Sequence, residues 1–305
     1  MLALIAGGGA LPGLVYRALE TPPYVAALEG FPPKDIPHHE TFRIETLGSL
    51  IKGLVERGVA RVCLAGAVQR PPLDPSRVDA ATMPLVPRMM AALQEGDDAA
   101  LRVLLSFFEE AGIAVVAAHE IVPDLLLAPG VPTEQQPDDA ARKDAGRARE
   151  VVAAMGAADV GQACIVCRGQ IIAVETVMGT DWMVNAVAFF RAIEPYTVMT
   201  NTTLRFLPGG EAIAKGFSEK TGIPLADAMG IPEPIRRGGV LFKAPKPVQD
   251  MRVDVPTIGP ATVRAAAAAG LDGIVIEAGQ VMVIDRAATI RAADEAGLFL
   301  WVRRP

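Results

Sequence analysis

Residues 1–13 read MLALIAGGGALPG, and this stretch decides the fold. The apolar run Leu2 to Ala6 stops at three glycines, and no basic residue leads into it, so it predicts a buried strand and not a secretory signal. Gly7, Gly8 and Gly9 then make a turn whose missing side chains let a phosphate approach backbone N–H groups at a helix start. The G-x-G-x-x-G pattern is incomplete, because Pro12 stands where the third glycine belongs and Gly13 comes one step late. A tight strand-to-helix turn without a ligand is the alternative reading.

Working outward, further apolar runs at Tyr24 to Leu28, Val62 to Leu64 and Ala114 to Ala118 predict strands. Helical spacing of apolar positions over Gly13 to Leu19, Thr46 to Arg57 and Ala99 to Ala111 predicts crossover helices between them. The fold class that follows is α/β, with a doubly wound, Rossmann-like N-terminal domain. Residues 129–147 are polar, proline-bearing and charged, which suits a domain boundary. The expected organisation is an N-terminal domain over 1–132, a linker over 133–147 and a second α/β, catalytic domain over 148–305, with a new helix starting near Pro137 to Asp139. The second domain has predicted strands at Ala163 to Cys167, Gln170 to Glu175, Gly239 to Lys243, Gly273 to Glu277 and Val281 to Ile284, and helices at Ala261 to Ala269 and Ala287 to Ala296. Its strand order does not follow from the pattern.

Composition removes several functions. The 305 residues are 51% hydrophobic and 21% charged with a net charge of −6, which argues against a nucleic-acid partner, since phosphate neutralisation needs an extended basic face. No apolar run approaches the roughly 18 residues needed to span a bilayer, so a cytoplasmic protein is expected, with room for peripheral contact at the inner membrane. Cys63, Cys164 and Cys167 are too few for a disulfide framework. The C-x-x-C at Cys164 and Cys167 falls in a predicted strand, and with no second pair a structural zinc site is rejected.

The segment KAPKPVQDMRVDVPTIGPAT, Lys243 to Thr262, concentrates charge on a backbone that Pro245, Pro247 and Pro256 keep from being helical. Lys243, Lys246 and Arg252 suit a phosphate or pyrophosphate. Asp250 or Asp254 suits a divalent cation or an orienting role toward water. A proline-braced surface loop with solvated charges accounts for the same residues. Elsewhere, Gln69 and Arg70 follow a strand at the edge where such sheets bind ligands, as do His119 and Glu120. Glu29 stands where a ribose-binding acid belongs in a nicotinamide-dependent oxidoreductase. Asp97 and Asp98 open a helix, where capping explains them. Glu175 and Asp181, in VETVMGTD, could join Asp254 in a carboxylate cluster for a hard cation, though a solvated turn explains Asp181 equally well.

LIAGGGALP, LAGAVQRP, GDDAALR, DVGQ at Asp159 to Gln162, VETVMGTD and the Lys243 to Thr262 block together resemble, in the same order, the UDP-2,3-diacylglucosamine pyrophosphatases of the LpxI type. The resemblance covers nearly the whole chain. It implies hydrolysis of the pyrophosphate of UDP-2,3-diacylglucosamine to UMP and 2,3-diacylglucosamine 1-phosphate (lipid X) in lipid A biosynthesis, Mg²⁺ as cofactor, and a homodimer. It also implies that Asp254, the aspartate of the R-V-D-x-P-T motif, is needed for turnover, and the expected catalytic role is to hold Mg²⁺ as a metal ligand or to orient the attacking water. Glu175 and Asp181 are then secondary metal ligands, and Gly7, Gly8, Gly9, Arg70, Lys243, Lys246, Arg252 and Thr257 contact substrate. The region 186–237 reads as an insertion relative to typical members. A nicotinamide-dependent oxidoreductase and a non-catalytic nucleotide-sugar or lipid-binding protein are the competing readings.

Overall fold

The computed structural model describes all residues except 69–72, 193–218, 221–236, 248 and 305. The chain divides into two compact units: Met1–Leu127 with Val248–Thr257 and Met282–Ile284, and Ala128–Pro247 with Ile258–Val281 and Asp285–Pro305.

In unit 1 the order is β1 (Leu2–Ala6), α1 (Leu11–Ala18), β2 (Tyr24–Leu28), β3 (Glu40–Phe42), α2 (Leu47–Glu56), β4 (Arg61–Ala65), α3 (Val86–Glu95), α4 (Asp97–Glu110), β5 (Ala114–Val115) and α5 (Ala118–Ile121). The sheet runs β3-β2-β1-β4-β5 and every pairing is parallel. This is the doubly wound strand order 3-2-1-4-5-6 without its sixth strand. Side chains of β1 alternate between faces. Ala3 joins a core with Leu50, Leu54, Phe107 and Phe108 from α2 and α4, while Leu2, Leu4 and Ala6 join a second core with Val15 of α1. Helix α2 buries Leu47, Leu50, Ile51 and Leu54, a single apolar stripe at helical spacing. Each such burial is worth about 1.5–3 kcal/mol.

The second core is completed by residues distant in sequence. Val255 and Met282 are buried in it, with Met251 and Ile284 packed alongside. Met282 donates its N–H to the Pro256 carbonyl at 2.8 Å. The two-residue strands β9 (Thr257–Ile258) and β11 (Met282–Val283) mark these returns of the chain.

Unit 2 holds α6 (Asp139–Ala157), β6 (Ala163–Cys167), β7 (Gln170–Val174), α7 (Gly179–Ala192), β8 (Val240–Lys243), α8 (Pro260–Ala268), β10 (Gly273–Glu277), α9 (Arg286–Glu295) and β12 (Phe299–Arg303). Its sheet runs β12-β10-β8-β6-β7. The β8, β10 and β12 strands are parallel, and β6 and β7 are antiparallel additions. Helix α6 lays Ala141, Ala145, Ala148 and Val152 on Cys164, Val166, Phe242 and Phe299. Small residues on the helix let it sit close to the strands.

The segment 133–147 differs from the expected linker. The units part at Leu127 and Ala128, and Thr133 is buried, accepting the Leu300 N–H at 2.9 Å. The charges beyond it belong to the exposed face of α6, whose first turn is capped by Asp138 accepting the Ala141 N–H at 2.7 Å. Charge and proline read as linker in sequence, yet here they are a cap and a solvated helix face. The strand predicted over Ala114 to Ala118 ends at Val115, and Ala118 opens α5. Of the region 186–237, α7 takes in the first residues, and most of the rest lies outside the described residues.

Candidate functional site

The glycine turn is built for close approach. Gly9 and Gly66 have φ of 88° and 107°, values that suit residues without a Cβ. A Cβ on Gly66 would come within 2.7 Å of Gly7 backbone, and one on Gly7 within 2.9 Å of the Ala67 carbonyl oxygen. The Gly7 N–H donates to Ala65 at 2.8 Å, and Gly8 and Ala67 exchange N–H bonds at 2.9 Å. Two of the three amides expected to face a phosphate therefore hold the turn after β4 instead. Arg70 and Gln69 lie outside the described residues. Glu29 is ion-paired with Arg43, which also holds Glu45 at 3.0 Å. That pairing occupies the carboxylate that the oxidoreductase reading assigned to a ribose.

In unit 2, three of the quoted motifs meet. Lys243, at the end of β8, donates from Nζ to Thr180 Oγ1 at 2.9 Å, and Thr180 donates to Glu175 Oε1 at 2.9 Å. All three are about 7% exposed. Glu175 Oε2 accepts the Gln162 N–H at 3.3 Å, and the Gln162 carbonyl accepts from Ala244 N–H at 3.1 Å. Lys246 pairs with Asp159 at 2.7 Å, and Asp159 has φ of 53°. Gly161 and Gly156 allow this assembly. A Cβ on Gly161 would lie 2.4 Å from the Glu175 carbonyl oxygen, and one on Gly156 would lie 2.8 Å from Pro247 Cδ. DVGQ, VETVMGTD and KAPKP thus meet at the carboxyl end of β8, with Lys243, Thr180 and Glu175 buried and the Lys246–Asp159 pair at the surface. Sequence reasoning singled out Lys243, Lys246 and Glu175 but missed the connecting roles of Thr180, Asp159 and Gln162.

The rest of the Lys243 to Thr262 block falls largely in unit 1. Gln249 is buried and donates from Nε2 to Asp254 Oδ2 at 2.6 Å. A turn holds Asp254, whose N–H donates to the Asp250 carbonyl at 3.0 Å. Arg252 grips Asp250 with two parallel bonds, Nε to Oδ1 at 3.0 Å and Nη2 to Oδ2 at 2.8 Å, and its Nη1 donates to Glu109. The Arg252 guanidinium beside Asp250 holds that carboxyl below the usual range, and the two carboxylates raise the arginine in turn. Arg252, expected as a pyrophosphate contact, also clamps this turn. Thr257 gives its hydroxyl to the Val255 carbonyl at 2.9 Å.

Among the described residues, no three His, Cys, Asp or Glu side chains are gathered as a metal site. Glu175 is engaged with Thr180 and Gln162, and Asp181 lies exposed in the first turn of α7, where the helix dipole accounts for it. Within unit 2, Glu175 and Asp181 by themselves are not a ready-made cage. Mg²⁺ seldom needs one, because it keeps several waters and takes one or two carboxylates plus substrate phosphates. Asp254 fits that demand. The cysteines are buried and free, and burial pushes the Cys63 and Cys164 thiols up to about 12, which suits packing and not metal ligation.

The LpxI N-terminal domain model matches residues 1–125, and the LpxI C-terminal domain model matches residues 128–204 and 219–301. The chain belongs to the LpxI family. It is 37% identical over 310 aligned positions to the UDP-2,3-diacylglucosamine pyrophosphatase LpxI of Caulobacter vibrioides, covering 98% of this chain and 96% of that protein. The family match also narrows the insertion expected over 186–237. Both flanks are matched, leaving only residues 205–218 outside.

Proposed function

We infer that this LpxI-family chain hydrolyses the pyrophosphate of UDP-2,3-diacylglucosamine to UMP and lipid X. The observation that carries the reading is the meeting of DVGQ, VETVMGTD and KAPKP around buried Lys243 in unit 2, in a chain matched by both family domains. Phosphoanhydride cleavage asks for positioning and charge stabilisation more than covalent chemistry. Lys243 and Lys246 supply positive charge, and the hydrogen bonds to Thr180 and Asp159 fix where each ammonium points. Asp254 is the proposed catalytic residue and Mg²⁺ ligand, with the Gln249 amide setting its rotamer. When bound, Mg²⁺ would neutralise charge on the departing phosphate. Gly9, Arg70 and Thr257 remain proposed substrate contacts.

The family resemblance supports a homodimer in the cytoplasm. No helix among the described residues is long and apolar enough to cross a membrane. The test is UMP release from UDP-2,3-diacylglucosamine in detergent, with Mg²⁺ or a chelator. Wild type is expected to release UMP only with metal, and Asp254→Ala to be slower by a factor of about 100 or more. A folded wild type that releases none defeats the reading, and near-normal turnover by Asp254→Ala removes Asp254 from its role.

A further inference from the structure

The structure assigns a lipid-facing surface to α7, and this rests on the hydrolase reading just given. A helix covering the edge of a soluble domain is ordinarily apolar on one face and polar on the other. Helix α7 is apolar on both. Its inner face buries Met183, Val184 and Val187. On the other side, Trp182 is 55%, Phe189 63% and Phe190 62% exposed, and the loop leading into the helix adds Val177 at 94% and Met178 at 58%. Trp182 and Phe189 are spaced by seven residues, two helical turns, which places them along one face of α7. The Phe189 and Phe190 rings meet edge to face at 6.0 Å between centroids.

Position and charge decide what this face meets. Val177 and Met178 lie between Glu175 and Thr180 in the chain, so the apolar surface begins where the polar cluster around Lys243 ends. An amphiphile with a phosphorylated head and acyl chains matches that sequence of surfaces. The substrate class inferred above is carried by a lipid layer, and aromatic side chains are at home at its interface. A second copy of the chain fits less well. At these exposures the five side chains offer on the order of 500 Å², taking roughly 150–250 Å² per aromatic, against about 800 Å² per partner in a standard interface.

Among the described residues, this face also carries no basic side chain of the kind that draws proteins to anionic lipid. Asp181 and Asn185 are its exposed polar groups. Arg191, the one cation of α7, is turned inward to the carbonyls of Ala269 at 2.6 Å and Gly238 at 2.9 Å. We therefore propose that the α7 face docks on a zwitterionic lipid surface by apolar insertion, without electrostatic attraction.

Trp182 reports on this directly. With Trp301→Phe in the full chain, it is the single tryptophan. Phosphatidylcholine vesicles are expected to move its emission to shorter wavelength and to carry the protein down on centrifugation, in low or high salt. Phe189→Ser with Phe190→Ser should lower the bound fraction about tenfold. Val177→Ser with Met178→Ser, outside the packed helix, should do the same in part and guards against a variant that fails to fold. Wild type that neither shifts nor sediments overturns the proposal. So does binding that needs anionic lipid and vanishes in salt, or a lipid-free shift of Trp182 emission that grows with protein concentration. UMP release in detergent by the same preparations separates the two readings. Release without vesicle binding defeats only the α7 surface, while vesicle binding without release defeats only the hydrolase.

Discussion

Lys243, Thr180 and Glu175 show how one hydroxyl makes a buried cation and a buried acid compatible. The ammonium donates to the oxygen and the hydroxyl donates onward to the carboxylate, so each charge keeps a partner away from water. Thr180→Val keeps the shape and removes the bridge. It should cost about 1–3 kcal/mol, read as a lower midpoint in denaturant, with Thr180→Ser recovering most of it. An unchanged midpoint in the valine variant means the bridge carries no weight. Asp250 makes a prediction in pH. Arg252 depresses its folded-state pKa, so its contribution is present above the unfolded value of about 4 and is lost as pH falls through the folded value. Asp250→Asn should lower the melting temperature at neutral pH, and the gap to wild type should close in acid. A gap of constant size across the titration rules out the charge as its source. The residue types at these positions were legible in sequence. Their partners were not, because Thr180 and Asp159 reach Lys243 and Lys246 across more than 60 residues, and no local period records such a pairing.

At the scale of elements, the β6 to β7 hairpin carries an odd turn. Arg168 and Gly169 both have positive φ, 51° and 78°, as a two-residue type I′ connection requires. Glycine accepts this readily, and arginine does so at a steric cost of roughly 1 kcal/mol. Asp144 on α6 offsets it by taking the N–H groups of Arg168 and Gly169 at 2.8 and 2.6 Å. Asp144→Ala should lose about 2 kcal/mol, while Arg168→Gly should be neutral or gain up to about 1 kcal/mol; thermal melts of the two variants decide it, and a destabilised Arg168→Gly contradicts the strain argument. Element legibility follows the same logic. Strands β1, β2, β6 and β10 were predictable because they are unbroken apolar runs. Strand β3 was not, being three residues at a sheet edge with His39 and Glu40 around it. Helices α3 and α7 were missed as well. The first opens on Pro87 and buries only Ala92, and the second is apolar on both faces and so lacks the single stripe by which α2 is recognised.

At the scale of the molecule, unit 1 is not a contiguous piece of chain, although the sequence suggests one. The apolar alternation from Leu2 to Ala118 reads as a complete domain, because a periodic pattern shows that a face is buried without showing what buries it. Here Val255 and Met282 enter the core formed by Leu4, Val15 and Cys63, and the Pro256 carbonyl takes the Met282 N–H. Removing both side chains from that core forfeits about 1.5–3 kcal/mol each and leaves apolar surface of β1 and α1 uncovered. A fragment of residues 1–127 should therefore keep helical and strand signal in circular dichroism. It should also bind a hydrophobic dye and melt well below the full chain, since a loss of a few kcal/mol is a large share of what holds a domain of that size. Val255→Ala with Met282→Ala in the full chain should reproduce part of the same loss without truncation. A fragment that melts cooperatively at the full-chain temperature without dye binding refutes the shared core, and the late segments would then be attached to unit 1 without stabilising it.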